Sequence, residues 1–125
     1  MKVSELTGHA LNWEVAKCEG ATEEWRSGAP FLWDGVPCIR IDGHDVNYRP
    51  STDWSQGGPI IGRENICLWS EGHDWEAKIQ TSSGEWLAEW AETPLVAAMR
   101  CYVASKLGDE VEIPVELLTK EKSNA

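Results

Sequence analysis

The fold is most clearly predicted by one stretch, Thr93-Pro-Leu-Val-Ala-Ala-Met-Arg-Cys-Tyr-Val-Ala-Ser-Lys-Leu-Gly108. Thr93 can cap a helix. Pro94 suits the first helical position, because a backbone N–H at that position would have no acceptor within the helix. Gly108 can adopt the left-handed conformation that ends a helix. Six apolar residues between them recur at helical spacing: Leu95, Val96, Met99, Tyr102, Val103 and Leu107. We therefore expect a helix over Pro94 to Leu107 whose apolar face covers a sheet.

The sheet under this helix is predicted from His73-Asp-Trp-Glu-Ala-Lys-Ile-Gln80. Trp75, Ala77 and Ile79 alternate with polar residues, and this period of two is typical of a strand with one buried face. Ile66-Cys-Leu-Trp69 precedes the strand across a glycine turn. The two runs together predict a β-hairpin.

A second hairpin is predicted nearer the N-terminus. Phe31-Leu-Trp33 and Val36-Pro-Cys-Ile-Arg-Ile41 flank Asp34-Gly35. An Asp-Gly pair between apolar runs is the strongest short-range sign of a hairpin. Asp42-Gly43-His44-Asp45 is expected to form a further turn.

A first helix is predicted from Thr7 to about Cys18, with Gly20 as its stop. The element order is then α-β-β-α-β-β-α. We expect an α+β fold in which a small antiparallel sheet, made from two hairpins, carries packed helices. The length of 125 residues suits a single compact domain over residues 1–119, with residues 120–125 as a disordered tail.

The most unusual chemistry lies between the hairpins, in Tyr48-Arg-Pro-Ser-Thr-Asp-Trp-Ser-Gln-Gly-Gly-Pro-Ile-Ile61. The proline biases the residue before it toward extended geometry, and Ser51 or Thr52 can then cap a short helix. Gly57 and Gly58 are expected to stop that helix. The result would be a tightly folded loop rather than a core element.

Such a loop could direct aromatic faces and hydrogen-bond donors toward one ligand. The candidate ligand-binding residues are Tyr48, Arg49, Ser51, Thr52, Asp53, Trp54, Gln56, Gly57, Gly58 and Arg63. In this hypothesis Tyr48 or Trp54 stacks on the ligand and Arg49 or Arg63 meets its negative charge. The alternative is a structural corner whose Trp54 fills the core.

The charge limits the classes of partner. A formal net charge of −10 argues against non-specific nucleic-acid binding and against an anionic membrane surface, because both need clustered Lys and Arg. Residues 64–92 hold seven carboxylates against Lys78 alone, whereas residues 27–63 hold four aspartates and three arginines. The middle third is thus the better place for an anionic ligand. The acidic third is either a solubilising face or a surface for a basic partner.

Eight tryptophans are a strong bias in a chain with one Phe and two Tyr. Four lie among apolar or alternating neighbours and are expected in or half in the core: Trp13, Trp33, Trp75 and Trp86. Four have more polar surroundings, and some of these should be exposed: Trp25, Trp54, Trp69 and Trp90. Each buried indole also needs a partner for its N–H.

The chain shows no pattern typical of an active site. The histidines His9, His44 and His73 lack the context of a catalytic triad. Asp42, Asp45 and Asp53 lack the spacing of a calcium loop. We therefore expect a protein that is not an enzyme and that holds no cofactor and no metal.

The cysteines and the apolar runs indicate a compartment. Cys18, Cys38, Cys67 and Cys101 include no Cys-x-x-Cys pair, and we expect four reduced thiols. No hydrophobic signal segment and no run of transmembrane length is present in the sequence. We expect the protein to remain in a cytoplasm, without contact to a membrane.

Three stretches closely resemble the NinX-like family of small proteins from lambdoid phages and prophages. They are Met1-Lys-Val-Ser-Glu-Leu-Thr-Gly8, Pro50-Ser-Thr-Asp-Trp-Ser-Gln-Gly-Gly-Pro-Ile-Ile61 and Thr93-Pro-Leu-Val-Ala-Ala-Met-Arg-Cys-Tyr-Val-Ala-Ser-Lys-Leu-Gly-Asp-Glu-Val111. The resemblance implies a phage context, a bacterial host cytoplasm and an accessory role, and it transfers no catalytic residues. Residues 20–30 and 81–92 differ from the usual family sequence, which leaves the role of their tryptophans open.

Three hypotheses of function follow. In the first, the loop of residues 48–61 sequesters a nucleotide-like small molecule and so counters host defence. In the second, the acidic, tryptophan-bearing region of residues 64–92 docks on a basic host protein as an inhibitor or adaptor. In the third, the protein is a structural subunit without a ligand, and a homo-oligomer is compatible with each.

Overall fold

The computed structural model describes residues 1–21, 29–114 and 117. Within them the helices are α1 (Gly8–Cys18), α2 (Trp54–Glu64) and α3 (Pro94–Leu107), after a 3₁₀ turn at Val3–Glu5. The strands are β1 (Phe31–Trp33), β2 (Val36–Ile41), β3 (His44–Asn47), β4 (Cys67–Glu71), β5 (Asp74–Gln80) and β6 (Trp86–Ala91). The expected α+β class is confirmed, but the two predicted hairpins belong to two separate sheets rather than to one, and each gains a third strand. A β-β-β-α unit thus occurs twice.

The first sheet is an antiparallel meander in the order β1-β2-β3. Both of its turns are Asp-Gly pairs with positive φ at each residue, 49° and 74° at Asp34 and Gly35 and 51° and 81° at Asp42 and Gly43. This geometry matches the twist of the flanking strands. The first hairpin is therefore confirmed. The turn expected over residues 42–45 is confirmed at Asp42-Gly43 but is shorter than expected, since the strand β3 begins at His44. The four residues of β3 are all exposed and give no alternating pattern.

The second sheet has the order β4-β5-β6, again antiparallel. The predicted hairpin of β4 and β5 is confirmed, and β6 pairs with β5 from Trp75 opposite Ala91 to Gln80 opposite Trp86. Ala77 and Ile79 lie on the buried face as expected. No strand is predicted over β6 because Glu89 interrupts the apolar residues of its inward face.

Helix α3 covers the inner face of the second sheet, as predicted. The Thr93 hydroxyl accepts a hydrogen bond from the Val96 N–H at 3.2 Å, and Gly108 ends the helix with a φ of 90°. Met99 and Tyr102 are buried. On its other side α3 contacts α1, which also packs on β2. The helix is therefore buried on two sides rather than on one, although Leu107 at its end is exposed.

Helix α2 differs from its prediction. Asp53, not Ser51 or Thr52, caps it by accepting from the Ser55 N–H at 2.9 Å. The helix continues past the two glycines to Glu64 and ends at Asn65, whose φ is 55°. Gly57 serves close packing instead of a stop, because a Cβ there would clash with the Pro50 carbonyl oxygen and lie 2.8 Å from Leu95 Cδ2.

The core is one cluster of buried residues that runs from Val3 to Leu117 and includes side chains from all three helices. Among the described residues, no helix is long and apolar enough to cross a membrane. The predicted tail at residues 120–125 and the environment of Trp25 lie outside the described residues.

Candidate functional site

The loop of residues 47–53 is tied to α1 and to β2. Asn12 Oδ1 accepts from the Ser51 N–H at 3.1 Å and from the Ser51 hydroxyl at 2.7 Å. The Tyr48 N–H donates to the Pro37 carbonyl at 2.8 Å. Ser51 therefore has a structural partner, and its hydroxyl is buried away from any open surface.

Two further candidate residues hold the same loop. Gln56 Oε1 accepts from the Arg49 N–H, while its Nε2 donates to the Asn47 carbonyl at 3.0 Å. Asp53 caps α2 and lies 3.9 Å from the Arg49 guanidinium. The cap and the nearby guanidinium hold the pKa of Asp53 below its usual value, with the hydrogen bonds from Ser55 as the largest cause. These contacts fix the shape of the loop.

A cleft of about 430 Å³ opens between this loop and the first turn of α1. We call it the α1–loop cleft. It is lined by Gly8, His9, Asn12, Asn47, Tyr48, Arg49 and Thr52. Three of the predicted residues therefore lie together in this cleft: Tyr48, Arg49 and Thr52. The α1 residues opposite them were not predicted, because they are distant from the loop in the sequence.

The α1–loop cleft is rich in hydrogen-bond donors. The Arg49 side chain is 60 % exposed, so its guanidinium is accessible to a ligand. Thr7 makes no side-chain hydrogen bond to the first turn of α1, and a helix N-terminus favours negative charge. The cleft thus suits an anion rather than a cation.

Neither Tyr48 nor Trp54, the two aromatic residues predicted to stack on a ligand, offers an open ring face to this cleft. Tyr48 is buried, and burial raises the pKa of its hydroxyl well above the usual value. Trp54 is exposed on α2, where its ring is the nearest group to Gly58. The stacking role predicted for either residue has no open aromatic face on the cleft to support it.

Arg63 belongs to a separate network at the far end of α2. Its guanidinium donates to both carboxylate oxygens of Glu19, at 3.0 and 2.7 Å, and to the Tyr102 hydroxyl at 3.2 Å. Burial alone would raise the pKa of Glu19, but the hydrogen bonds from Arg63 and Tyr102 outweigh it and lower that pKa. Arg63 is thus engaged in an internal ion pair.

The outer face of the second sheet exposes three tryptophans, and we call it the tryptophan face. Trp69, Trp86 and Trp90 are 38, 57 and 44 % exposed. Trp69 and Trp90 lie opposite Glu76 on the two sides of β5, and Trp86 lies opposite Gln80. Cys67, Trp69, Lys78 and Trp86 line an apolar cleft of about 440 Å³ on this face.

The burial of the tryptophans departs from the sequence pattern at two positions. Trp13 is buried, Trp75 is half-buried, and Trp54, Trp69 and Trp90 are exposed, as expected. Trp33 and Trp86, expected in or half in the core, are exposed instead. Trp33 ends the short edge strand β1, and the register of β6 turns Trp86 outward. The sequence of residues 86–91 carries no alternation of apolar and polar residues that would mark this register.

Two candidate aspartates have structural partners. Asp45 pairs with Arg40 at 2.8 Å, and Asp53 caps α2. The described residues contain no cluster of His, Cys, Asp and Glu with the geometry of a metal site. The cysteines are free; Cys38 and Cys101 are buried, whereas Cys67 is exposed on the tryptophan face.

Comparison with known proteins gives one family. No protein with a curated description matches the chain. The model of the family described as "Bacteriophage P22, NinX" matches residues 2–106. This range includes α1, both sheets, α2 and nearly all of α3, and so covers the α1–loop cleft and the tryptophan face. The chain belongs to the bacteriophage P22 NinX family.

Proposed function

We propose that this phage protein is an accessory binding protein that docks on a basic protein of the bacterial host through its tryptophan face. The observation that carries the proposal is the exposure of Trp69, Trp86 and Trp90 together on one sheet face. A contiguous exposed apolar patch is typical of an interaction site. Tryptophan is also enriched among the residues that dominate binding energy in protein interfaces.

The charge of the surface supports a basic partner. The paired strands β4 and β5 carry three carboxylates on the tryptophan face, from Glu71, Asp74 and Glu76. The basic residue among these paired positions is Lys78. An acidic surface of this kind steers a basic protein toward it and disfavours acidic proteins. Binding, rather than catalysis, is the role that such a surface can perform.

The position of the face in the fold also supports docking. Its strands are fixed from behind by α3, whose residues Met99 and Cys101 are fully buried. Indole side chains have only two rotatable bonds and lose little freedom when they are covered. The surface is therefore largely preformed, which reduces the cost of association.

Capture from a lysate of infected host cells tests this function when variants are compared. We expect the doubly substituted protein Trp86→Thr, Trp90→Thr to lose the basic host proteins that the wild type retains. Threonine keeps the preference for a strand at both positions. Trp33→Thr is the matched control, since Trp33 is an exposed strand tryptophan on the other sheet. Equal capture by the double variant and the control would reject the proposal.

The α1–loop cleft supports a second candidate function, the sequestering of a nucleotide-like anionic small molecule that takes part in host defence. Arg49, His9 and Asn12 line the cleft, and their side chains carry donors that an anionic molecule can use. Native mass spectrometry of the protein from infected cells would detect a bound small molecule. Its mass should disappear from Arg49→Gln and persist in Arg63→Gln, whose arginine is paired with Glu19; the same mass on both variants would exclude this cleft.

A further inference from the structure

Glu76, which lies between Trp69 and Trp90 on the tryptophan face, is buried without a partner for its charge. Its residue is only 7 % exposed, yet its carboxylate makes no hydrogen bond or ion pair with any residue in the described part of the chain. A buried carboxylate without a partner is costly. A cation from another molecule can therefore pair with this carboxylate.

Two indoles form the walls around this carboxylate. Trp69 on β4 and Trp90 on β6 are the direct cross-strand neighbours of Glu76. Adjacent strands lie about 4.8 Å apart, so the Cα atoms of the two tryptophans lie roughly 10 Å from each other, with Glu76 between them. Both indoles are exposed on the face of the sheet that carries Glu76. A flat cation at the carboxylate would therefore lie beside both indoles.

The carboxylate is also reachable. Among the buried polar atoms of the described residues, those sealed from solvent and without a hydrogen-bond partner belong to Glu14. The oxygens of Glu76 are not among them, so they keep an opening to solvent.

The protein itself shows that this face accommodates a cation on an indole. Lys78 Nζ lies 4.8 Å from the ring centroid of Trp69. This distance is within the range of a cation–π contact. Lys78 makes no ion pair with Glu76 in the described structure, so the carboxylate and the ring of Trp90 are still open.

We infer that Glu76, Trp69 and Trp90 form a seat for one arginine side chain of the partner protein. The inference rests on the proposed function and names the chemical group by which the partner is recognised. Arginine fits better than lysine because its guanidinium is planar, stacks on aromatic faces and gives paired donors to a carboxylate.

The surroundings of the seat remain negative. Asp74 and Glu92 line the adjoining cleft together with Trp90. Arg100 lines it as well, but its guanidinium donates to the carbonyls of Leu6 and Trp90, at 2.8 and 2.9 Å. Two carboxylates therefore flank Trp90 against one engaged guanidinium, which favours a cationic ligand.

Nuclear magnetic resonance of the indole N–H groups tests the seat. The probe is the peptide acetyl-Gly-Arg-Gly-amide, and its neutral match carries citrulline in place of arginine. We expect the arginine peptide to shift the indole signals of Trp69 and Trp90 but not those of Trp33 and Trp54. Glu76→Gln should weaken the interaction by about tenfold or more, the scale of a lost charged hydrogen bond. Glutamine keeps the size of the side chain, so the control for folding is an unchanged remainder of the spectrum.

The outcomes separate the seat from the docking function. Equal shifts with citrulline, unchanged binding by Glu76→Gln, or no shift of Trp69 and Trp90 would each overturn the seat. If the seat is overturned but host capture still depends on Trp86 and Trp90, the docking function stands without the arginine seat. Conversely, arginine binding that depends on Glu76, with capture indifferent to the tryptophans, would support the seat and reject the docking function.

Discussion

Asn12 Oδ1 accepts two hydrogen bonds from Ser51, one from its N–H and one from its hydroxyl. Both residues are buried, and 39 positions separate them in the chain. The pair joins α1 to the loop that precedes α2. The walls of the α1–loop cleft therefore keep their spacing through a polar contact in the core.

Asn12→Ala should destabilise the protein by about 1–3 kcal/mol, because it leaves the buried N–H and hydroxyl of Ser51 without an acceptor. Ser51→Ala should cost less, since it removes one of the two hydrogen bonds together with its own donor. Urea unfolding gives both values. A larger loss for Ser51→Ala than for Asn12→Ala would contradict this assignment.

Two of the glycines of α2, Gly57 and Gly62, should respond to alanine with opposite signs. Gly57→Ala would drive a methyl group against the Pro50 carbonyl and Leu95 Cδ2, and overpacking of this kind costs about 1–3 kcal/mol. At the exposed Gly62 a new Cβ would meet no atom within 4 Å, so alanine should stabilise the helix by about 0.5–1 kcal/mol. Thermal unfolding of the two variants should move in opposite directions, and a shift of the same sign would refute the packing of Gly57.

Met99→Asp should destabilise the protein by roughly 3–5 kcal/mol, the scale of an uncompensated buried charge. Met99 is fully buried in α3 against the second sheet. Met99→Leu nearly conserves the volume and should cost less than about 1.5 kcal/mol. An aspartate variant that melts at the wild-type temperature would reject the packing of α3 on the sheet.

We expect the free energy of unfolding to depend on pH because of Glu14. The residue is fully buried; Lys17 Nζ lies 2.9 Å from its Oε1, but neither carboxylate oxygen has a hydrogen-bond partner of good geometry. Burial raises the pKa of Glu14 more than Lys17 lowers it. Because the folded pKa lies above the unfolded value, ionisation of Glu14 costs stability at neutral pH. This cost disappears below the unfolded pKa of about 4.5.

Glu14→Gln should therefore unfold at a higher urea concentration than the wild type at pH 7. The difference should shrink as the pH falls through 4.5, because the carboxyl of the wild type is protonated in both states well below that value. Glu5→Gln, on an exposed position of the N-terminal 3₁₀ turn, is the control and should show no such trend. A difference that grows toward acid pH would mean that the ion pair with Lys17 outweighs burial.

Helix-capping residues and turn residues in the sequence predict α3 and the first hairpin correctly. Thr93, Pro94 and Gly108 bound α3 as expected, and the Asp34-Gly35 pair makes its hairpin. The polar edge strand β3 and the two-faced strand β6 are missed because their sequences lack a buried alternation. The glycines of α2 mislead because close packing against Pro50 is a tertiary effect, invisible in local sequence.

The candidate site was predictable only in part. Arg49 and Thr52 do line a cleft, but His9 and Asn12 come to it from a distant helix. Glu76 is expected on the polar side of β5, and it does lie there. Its burial depends on Trp69 and Trp90 in neighbouring strands, and that register cannot be derived from one strand alone.

Hydroxyl-radical footprinting of the tryptophans, in the free protein and in its complex with the captured host partner, tests docking through the tryptophan face. We predict that oxidation of Trp69, Trp86 and Trp90 falls in the complex, while Trp33 and Trp54 are oxidised as in the free protein. These two indoles are 71 and 54 % exposed and lie on other surfaces, so they serve as the internal control. Protection of Trp33 or Trp54, with the tryptophan face oxidised as before, would contradict docking through that face.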